Sequence, residues 1–239
     1  MCIRTAARCI SALILLAGVA AQATESAPVK PFQADYEVLR NGTELGRATL
    51  ALRPLGDGTW EFSNRTKGTK GMASLLGVDV VEKSTFRWRD GQPEGLHYEY
   101  SQEAAIKSRR RRTDFDWQSG NAQSSDGKNT YTAKLEPGAM DRNLVTVALM
   151  ASLKENAQEL RFRVVDKDRV AQQSYRAGGR ETLSLPGGAL DAVRVERQRE
   201  DNSRSTISWF APQRSWLPVQ IEQVEKNGET ITLRLSSRP

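Results

Sequence analysis

The stretch VQIEQVEKNGETITLRL, residues 219–235, decides the fold. Val219, Ile221 and Gln223 alternate with polar neighbours before Asn227-Gly228. Beyond that turn Ile231, Leu233 and Leu235 share one face, while Thr232 and Arg234 point away. A period of two on either side of Asn-Gly is the signature of a β-hairpin, because Asn and Gly accept the positive φ angles of turns that match strand twist.

Working outward, similar punctuation recurs at Asn41-Gly42, Gly56-Asp57-Gly58, Asp90-Gly91, Asp126-Gly127, Gly178-Gly179 and Pro186-Gly187-Gly188. Most of these read as hairpin turns. Between them strands are predicted over 32–40, 43–53, 59–66, 80–89, 96–102, 107–117, 129–135, 160–165, 181–185, 190–199 and 205–210. The result is a mainly β chain, an antiparallel meander forming a curved or partly open barrel, without internal repeats.

Two segments break the pattern. From Asp141 to Leu153 the apolar residues Leu144, Val145, Val147, Ala148, Leu149, Met150 and Leu153 nearly surround a helical wheel. Such a helix belongs inside the curve of the sheet, with Asp141 as its cap after Pro137-Gly138. Between Gly68 and Val78, Met72, Leu75 and Leu76 sit among glycines, which predicts a short helix closing one end of the core or a mobile flap.

At the N-terminus Arg4 and Arg8 precede a small and apolar run, Ile10 to Ala21, ending in Ala21-Gln22-Ala23. That order predicts a cleavable secretory signal over residues 1–23, with the exported chain starting at Thr24 in the periplasm. The run is too short to span a bilayer, so no transmembrane segment remains after cleavage. A short linker, 24–31, then leads into a single β-rich domain, 32–236, with a tail over 237–239. Cys2 and Cys9 lie in the signal and follow no lipobox, so the exported chain carries no thiol. Redox and thiolate chemistry are thereby excluded. Loss of Arg4 and Arg8 lowers the formal net charge from +6 to +4, a mild bias toward anionic lipid head groups or glycans. Nucleic acid is not an expected partner outside the cytoplasm.

The order Phe32-x-Ala34-x-Tyr36-x-Val38, Asn41-Gly42, Leu45-Gly46, Val81-Glu82-Lys83-Ser84-Thr85-Phe86, Trp209-Phe210-Ala211 and Leu217-Pro218-Val219 resembles the exported bacterial family known as domain of unknown function 3108. The resemblance covers nearly all of the exported chain and implies compartment and fold, not mechanism. It also implies a wrapped, partly open sheet similar to the lipoprotein-carrier half-barrels of that compartment, an analogy that carries no function.

The chain has no Gly-x-Ser-x-Gly elbow, no His-Glu-x-x-His, no phosphate-cradling glycine loop and no cysteine cluster. His97, the one histidine, falls beside Glu99 on the strand face opposite Leu96, Tyr98 and Tyr100, where a surface role is expected. No catalytic residue, metal ligand or cofactor is called for. Carboxylates are numerous, and a glycosidase would need two across a cleft at a set separation. Glu82 alternates onto the face of Val80, Ser84, Phe86 and Trp88. It reads either as a carboxylate held by Ser84 or an arginine, or as an anchor for a ligand head group. In the run Arg109 to Arg112 a strand divides the charges, putting Arg109 and Arg111 with Phe115 and Trp117, and Arg110 and Arg112 with Asp114 and Asp116. The run is either a solvated strand end or an anion site.

Three functional classes follow in order. The first is a non-catalytic periplasmic binding protein for an apolar or lipid-like envelope ligand, with Glu82, Phe86, Trp88, Arg109 and Arg111 as its ligand-binding residues. The second is an assembly factor that binds other envelope proteins. The third is a carboxylate-dependent hydrolase.

Overall fold

The alternation seen in the sequence becomes fifteen strands and two helices in the computed structural model, which describes residues 27–201 and 204–236. The expected signal segment 1–23, the start at Thr24 and the tail 237–239 lie outside the described residues. The strands are β1 (Phe32–Arg40), β2 (Thr43–Gly56), β3 (Thr59–Gly68), β4 (Asp79–Arg89), β5 (Gln92–Glu103), β6 (Arg109–Asp116), β7 (Asn121–Ser125), β8 (Thr130–Lys134) and β9 (Ala139–Met140), then β10 (Glu159–Asp166), β11 (Arg169–Leu185), β12 (Gly188–Gln198), β13 (Arg204–Ala211), β14 (Leu217–Glu225) and β15 (Thr230–Leu235). Helix α1 (Gly71–Leu75) follows β3, and α2 (Val145–Lys154) follows β9.

All fifteen strands belong to one sheet in the order β8-β7-β6-β5-β4-β3-β2-β1-β15-β14-β13-β12-β11-β10-β9. The first and last strands pair at its middle, and its two ends, β8 and β9, are not joined by a ladder. The sheet is therefore open. Its ends still approach one another: Lys167, after β10, lies 5.6 Å over the Tyr131 ring of β8.

The hairpin turns follow their chemistry. Asn41 and Gly42 have φ of 48° and 79°, and Asp90 and Gly91 of 51° and 72°, the paired positive angles that two-residue hairpin turns demand. In the C-terminal hairpin Ile221 faces Leu233 and Gln223 faces Ile231, the register expected from their alternation.

Gly178-Gly179 is not a turn. β11 runs straight through it, and the register passes from Ala177↔Val195 to Arg180↔Val193, so one extra residue is absorbed as a bulge. The first two thirds of β11 escaped notice because the strand has no fully buried side chain. β7 offers only Ala122 and Ser124 to the interior, and β9 is two residues long.

The helix expected from Asp141 begins later. The Asp141 carboxylate accepts hydrogen bonds from the backbone N–H groups of Asn143 and Leu144, which closes a turn ahead of α2 instead of capping it. Leu144 stands at the N-cap and makes no side-chain cap bond. α2 does lie inside the curve of the sheet, touching β5, β10 and β14. Val145, Val147, Ala148, Leu149, Met150 and Leu153 are buried against Tyr36, Leu50, Phe62, Phe86, Phe210 and Val219. Burial on nearly every side of the helix accounts for its lack of a polar stripe. Val29, in the segment before β1, also joins this core.

Gly46, in the Leu45-Gly46 pair, faces β3 so closely that a Cβ there would meet the Lys67 carbonyl oxygen at 2.1 Å. A backbone carbonyl in a ladder has no room to yield. Gly46→Ala is expected to destabilise the fold by roughly 1–3 kcal/mol in urea unfolding; an unchanged midpoint would mean that β2 and β3 part readily.

Candidate functional site

Strand register assembles a polar row on the concave face. Glu82 of β4 faces Tyr100 of β5, which faces Arg111 of β6. In the next row Ser84 faces Tyr98, and Tyr98 faces Thr113. The turn before α2 lowers Asp141, Arg142 and Asn143 onto these rows.

Arg142 is the hub. Its Nε donates to Glu82 Oε1 and to the Tyr98 hydroxyl, both at 2.9 Å, and Tyr98 donates to Glu82 Oε1 at 2.7 Å. Its guanidinium also lies 5.0 Å over the Tyr100 ring. Burial works against the Arg142 charge, but the adjacent Glu82 carboxylate and Tyr98 oxygen more than reverse this and hold its pKa above normal. Burial, then the neighbouring Glu82 charge, raises the Tyr98 hydroxyl well above the usual phenol range. Glu82 is thus a carboxylate paired with an arginine, one of its two expected roles. Ser84 serves a different carboxylate.

Beneath this hub the Ser84 hydroxyl donates to Asp141 Oδ1 at 2.8 Å, and the Asn143 side-chain amide donates to Ser84 Oγ at 3.0 Å and to the Phe62 carbonyl at 3.2 Å. Burial raises the Asp141 pKa to about 7. Hydrogen bonds from Ser84 and the backbone N–H groups of Leu144 and Asn143 oppose that rise, and the Glu82 charge adds to it. Asp141 Oδ2 is buried without a hydrogen-bond partner.

The open seam passes over this cluster. A hollow of about 170 Å³ there is lined by Tyr98, Thr113 and Ser124 on one side, by Val165 and Lys167 on the other, and by Asp141 at its floor. Arg111 borders it and an adjoining, more open hollow of about 490 Å³, and also reaches the edge of one of about 560 Å³ lined mainly by outer-face residues such as Lys83, Glu99 and Arg112. Among the described residues, neither Arg111 nor Lys167 makes a side-chain hydrogen bond or ion pair; each meets only a tyrosine ring, Arg111 at 6.0 Å from Tyr100 and Lys167 over Tyr131. Some of the other charges at the seam are engaged, while Asp168 shares the hollow of about 490 Å³ with Arg111 and Lys167, and Asp166 meets Arg169 only at 4.0 Å. Arg112 pairs with Asp114 at 2.7 Å. Asp126 accepts from the N–H groups of Asn129 and Lys128 and from Tyr131, bonds that hold its pKa at about 2. The unpaired Arg111 and Lys167 donors suit an anionic or acceptor-rich group, beside the acceptors of Asp168 and Asp141 Oδ2.

Of the expected ligand-binding residues, the fold brings Glu82 and Arg111 together through Tyr100. Arg109 is exposed on the same strand and lies outside the hollows. Phe86 and Trp88 are elsewhere: Phe86 is fully buried, 5.1 Å and edge-on from Trp88, which in turn meets Trp60. The wall expected of these two rings is filled core under α2, because the helix occupies the concave space a ligand chain would need. His97 is on the outer face, with Nδ1 2.7 Å from Asp114 and Nε2 3.1 Å from Glu99, as strand parity indicates. No group of three or more His, Cys, Asp or Glu placed to hold a metal occurs among the described residues. Among them, too, no helix is long and apolar enough to cross a membrane.

The sequence reading missed Arg142, Tyr98, Tyr100 and Lys167. Tyr98 and Tyr100 were visible by parity with Leu96, but their alignment with Glu82 and Arg111 depends on register across three strands. Nothing in the sequence beside Arg142 or Lys167 marks them.

The model of the family described as "Protein of unknown function (DUF3108)" matches residues 32–236. None of the curated proteins compared with the chain matches it. Among solved structures, the chain is similar to a β-barrel-like protein of domain of unknown function DUF1849 from Brucella abortus. The TM-score is 0.50 at 12% identity, over 87% of this chain and 97% of that one. At that identity the likeness concerns the fold.

Proposed function

The chain belongs to the DUF3108 family, whose description assigns no activity, and we propose that it is a periplasmic, non-catalytic binding protein whose open seam takes the anionic head of an envelope amphiphile. One observation carries this reading: Arg111, with its guanidinium donors unspent, borders two adjoining hollows where the ends of the sheet approach without pairing. A guanidinium can hold phosphate or carboxylate through paired hydrogen bonds, and Lys167 supplies a second cation across the gap. Because α2 fills the interior, the apolar part of such a ligand would rest at the rim of the seam. The periplasmic assignment rests on the signal-like order of residues 1–23.

Titration calorimetry with monomeric dihexanoyl phosphatidylglycerol tests the site. Arg111→Gln and Lys167→Gln should each weaken binding about ten- to hundredfold, the range set by losing a charge-assisted hydrogen bond of roughly 1.5–3 kcal/mol. If the native protein binds no such lipid, or both folded variants bind unchanged, the seam is not the site and an assembly factor becomes the leading reading.

One observation favours a second reading, hydrolysis by carboxylates. Asp141, with its pKa near 7, borders the cleft and senses the charge of Glu82. It ranks lower because Arg142 and Tyr98 already occupy Glu82, and Asp141 is engaged in a turn. Turnover of a nitrophenyl glycoside by the native protein, abolished in Asp141→Asn, would reverse that order.

A further inference from the structure

Among the described residues four large apolar side chains are exposed: Leu55, Met72, Leu75 and Ile106. Leu55 sits near the β2–β3 turn. The other three gather at the opposite end of the sheet, since α1 and the β5–β6 connection both lie there: Gly46 at the start of β2 pairs with Gly68, and Asp79 of β4 pairs with Glu103. Met72, Leu75 and Ile106 are 65%, 79% and 82% exposed.

These side chains are held out by ordered backbone. The Ala105 N–H donates to the Leu76 carbonyl at 2.9 Å, joining the two connections. Lys107 N–H bonds back to Ala104 at 3.1 Å, which makes the tight turn that presents Ile106. The N–H groups of Thr69 and Lys70 bond to the Leu45 carbonyl, fastening the α1 segment to β2. Exposure of this kind is maintained by the fold, and an apolar cluster so presented marks a contact surface.

The charges around it identify the partner. Lys107 and Arg109, beside Ile106, make no side-chain hydrogen bond or ion pair among the described residues. The nearby acids are engaged: Glu103 by Ser108 and Arg110, Glu44 by Lys70 and Arg47. Three apolar tips flanked by unpaired cations match an anionic lipid surface, which takes the apolar groups into its acyl boundary and the cations at its head groups. A protein partner is a poorer fit, because stable protein interfaces engage about 20–30 residues a side.

We infer that Met72, Leu75 and Ile106 form a docking tip that inserts shallowly into an anionic membrane surface, with Lys107 and Arg109 against the lipid head groups. The same end of the sheet carries the seam, for Arg111 lies two residues beyond Arg109, so docking brings the seam to the membrane. The docking does not depend on what the seam binds.

The test is co-sedimentation of the protein, purified from its own cells, with vesicles of phosphatidylcholine alone or mixed equally with phosphatidylglycerol. The native protein is expected on the mixed vesicles and not on the neutral ones. Leu75→Ser combined with Ile106→Ser should lower partitioning about tenfold or more, and Lys107→Gln with Arg109→Gln should lower it and flatten its salt dependence. Met72→Ser gives an independent reading if the apolar pair disturbs folding. Monomeric lipid binding at the seam should survive in the tip variants, which separates failure of the tip from failure of the seam. The inference is overturned if the native protein ignores anionic vesicles or if folded tip variants partition normally. It is also overturned if the same substitutions dissolve a dimer seen by sedimentation velocity.

Discussion

Asp141→Asn should remove a large part of the protein's loss of stability as pH rises from about 4 to about 7. Asp141 begins unfolded with an ordinary pKa of 3.8 and is raised to about 7 by burial in the native state. Between those values the folded chain keeps a proton that the unfolded chain has released. Stability from this group therefore declines across that window, and the full penalty applies above it. The gap between 3.8 and about 7 corresponds to roughly 4 kcal/mol. Asparagine retains the oxygen that accepts from Ser84, Asn143 and Leu144 and removes the ionisation. Asp79, Asp114 and Asp126, whose pKa values are lowered, contribute the opposite trend at low pH, but they do so in both proteins and cancel in the comparison. Denaturant unfolding at pH 5 and pH 8 should show the variant gaining roughly 2–3 kcal/mol on the native protein between the two. Asparagine also sets an amide where Oδ2 now lacks a partner, a pH-independent cost, so the difference between pH values is the measurement. Parallel profiles would mean that Asp141 is solvated in solution.

The same residue shows where sequence reading stops. Its proximity to an apolar helix was legible, and so was a capping role; that its carboxylate would lie under Ser84, fifty-seven positions earlier, was not. The meander itself was legible because turn chemistry and alternation are local. Asn41-Gly42 fixes its own φ angles, and Phe32–Arg40 reads as a strand from its own residues. Where local signals fail, so did the reading. β11 has polar side chains on both faces at Gln172-Gln173-Ser174, so neither face declares itself, and Gly178-Gly179 resembles a turn although neither glycine takes a positive φ and the strand continues through them as a bulge.

The site has the same division. Parity of β4 and β6 correctly turned Glu82 and Arg111 to one face, because side-chain direction is a property of each strand alone. It equally turned Phe86 and Trp88 there, and could not tell an open wall from a packed one. That distinction depends on where α2, about sixty positions further along the chain, comes to rest. Arg142 and Lys167, which complete the seam, reach it through the turn before α2 and the turn after β10, and no pattern within either turn foretells the meeting.

Placement of α2 therefore governs both core and site, and Leu149→Ala should expose this with a loss of about 2–5 kcal/mol. Leu149 is buried in the middle of the helix among sheet residues from both halves of the meander. Ladders fix the strands on either side, so the sheet cannot close over the missing atoms, and the cavity penalty adds to the lost transfer energy. Urea unfolding should show a lower midpoint with an unchanged slope, since the surface exposed on unfolding hardly differs. A loss below about 0.5 kcal/mol would place the helix on the surface. The effect reaches further than stability. Asp141, Arg142 and Asn143 immediately precede α2, and Arg142 keeps its grip on Glu82 and Tyr98 only while the helix is seated. In the folded fraction of Leu149→Ala, lipid affinity at the seam should therefore fall although Leu149 touches none of the three hollows. Unchanged affinity would show that Arg111 and Lys167 bind without support from the turn.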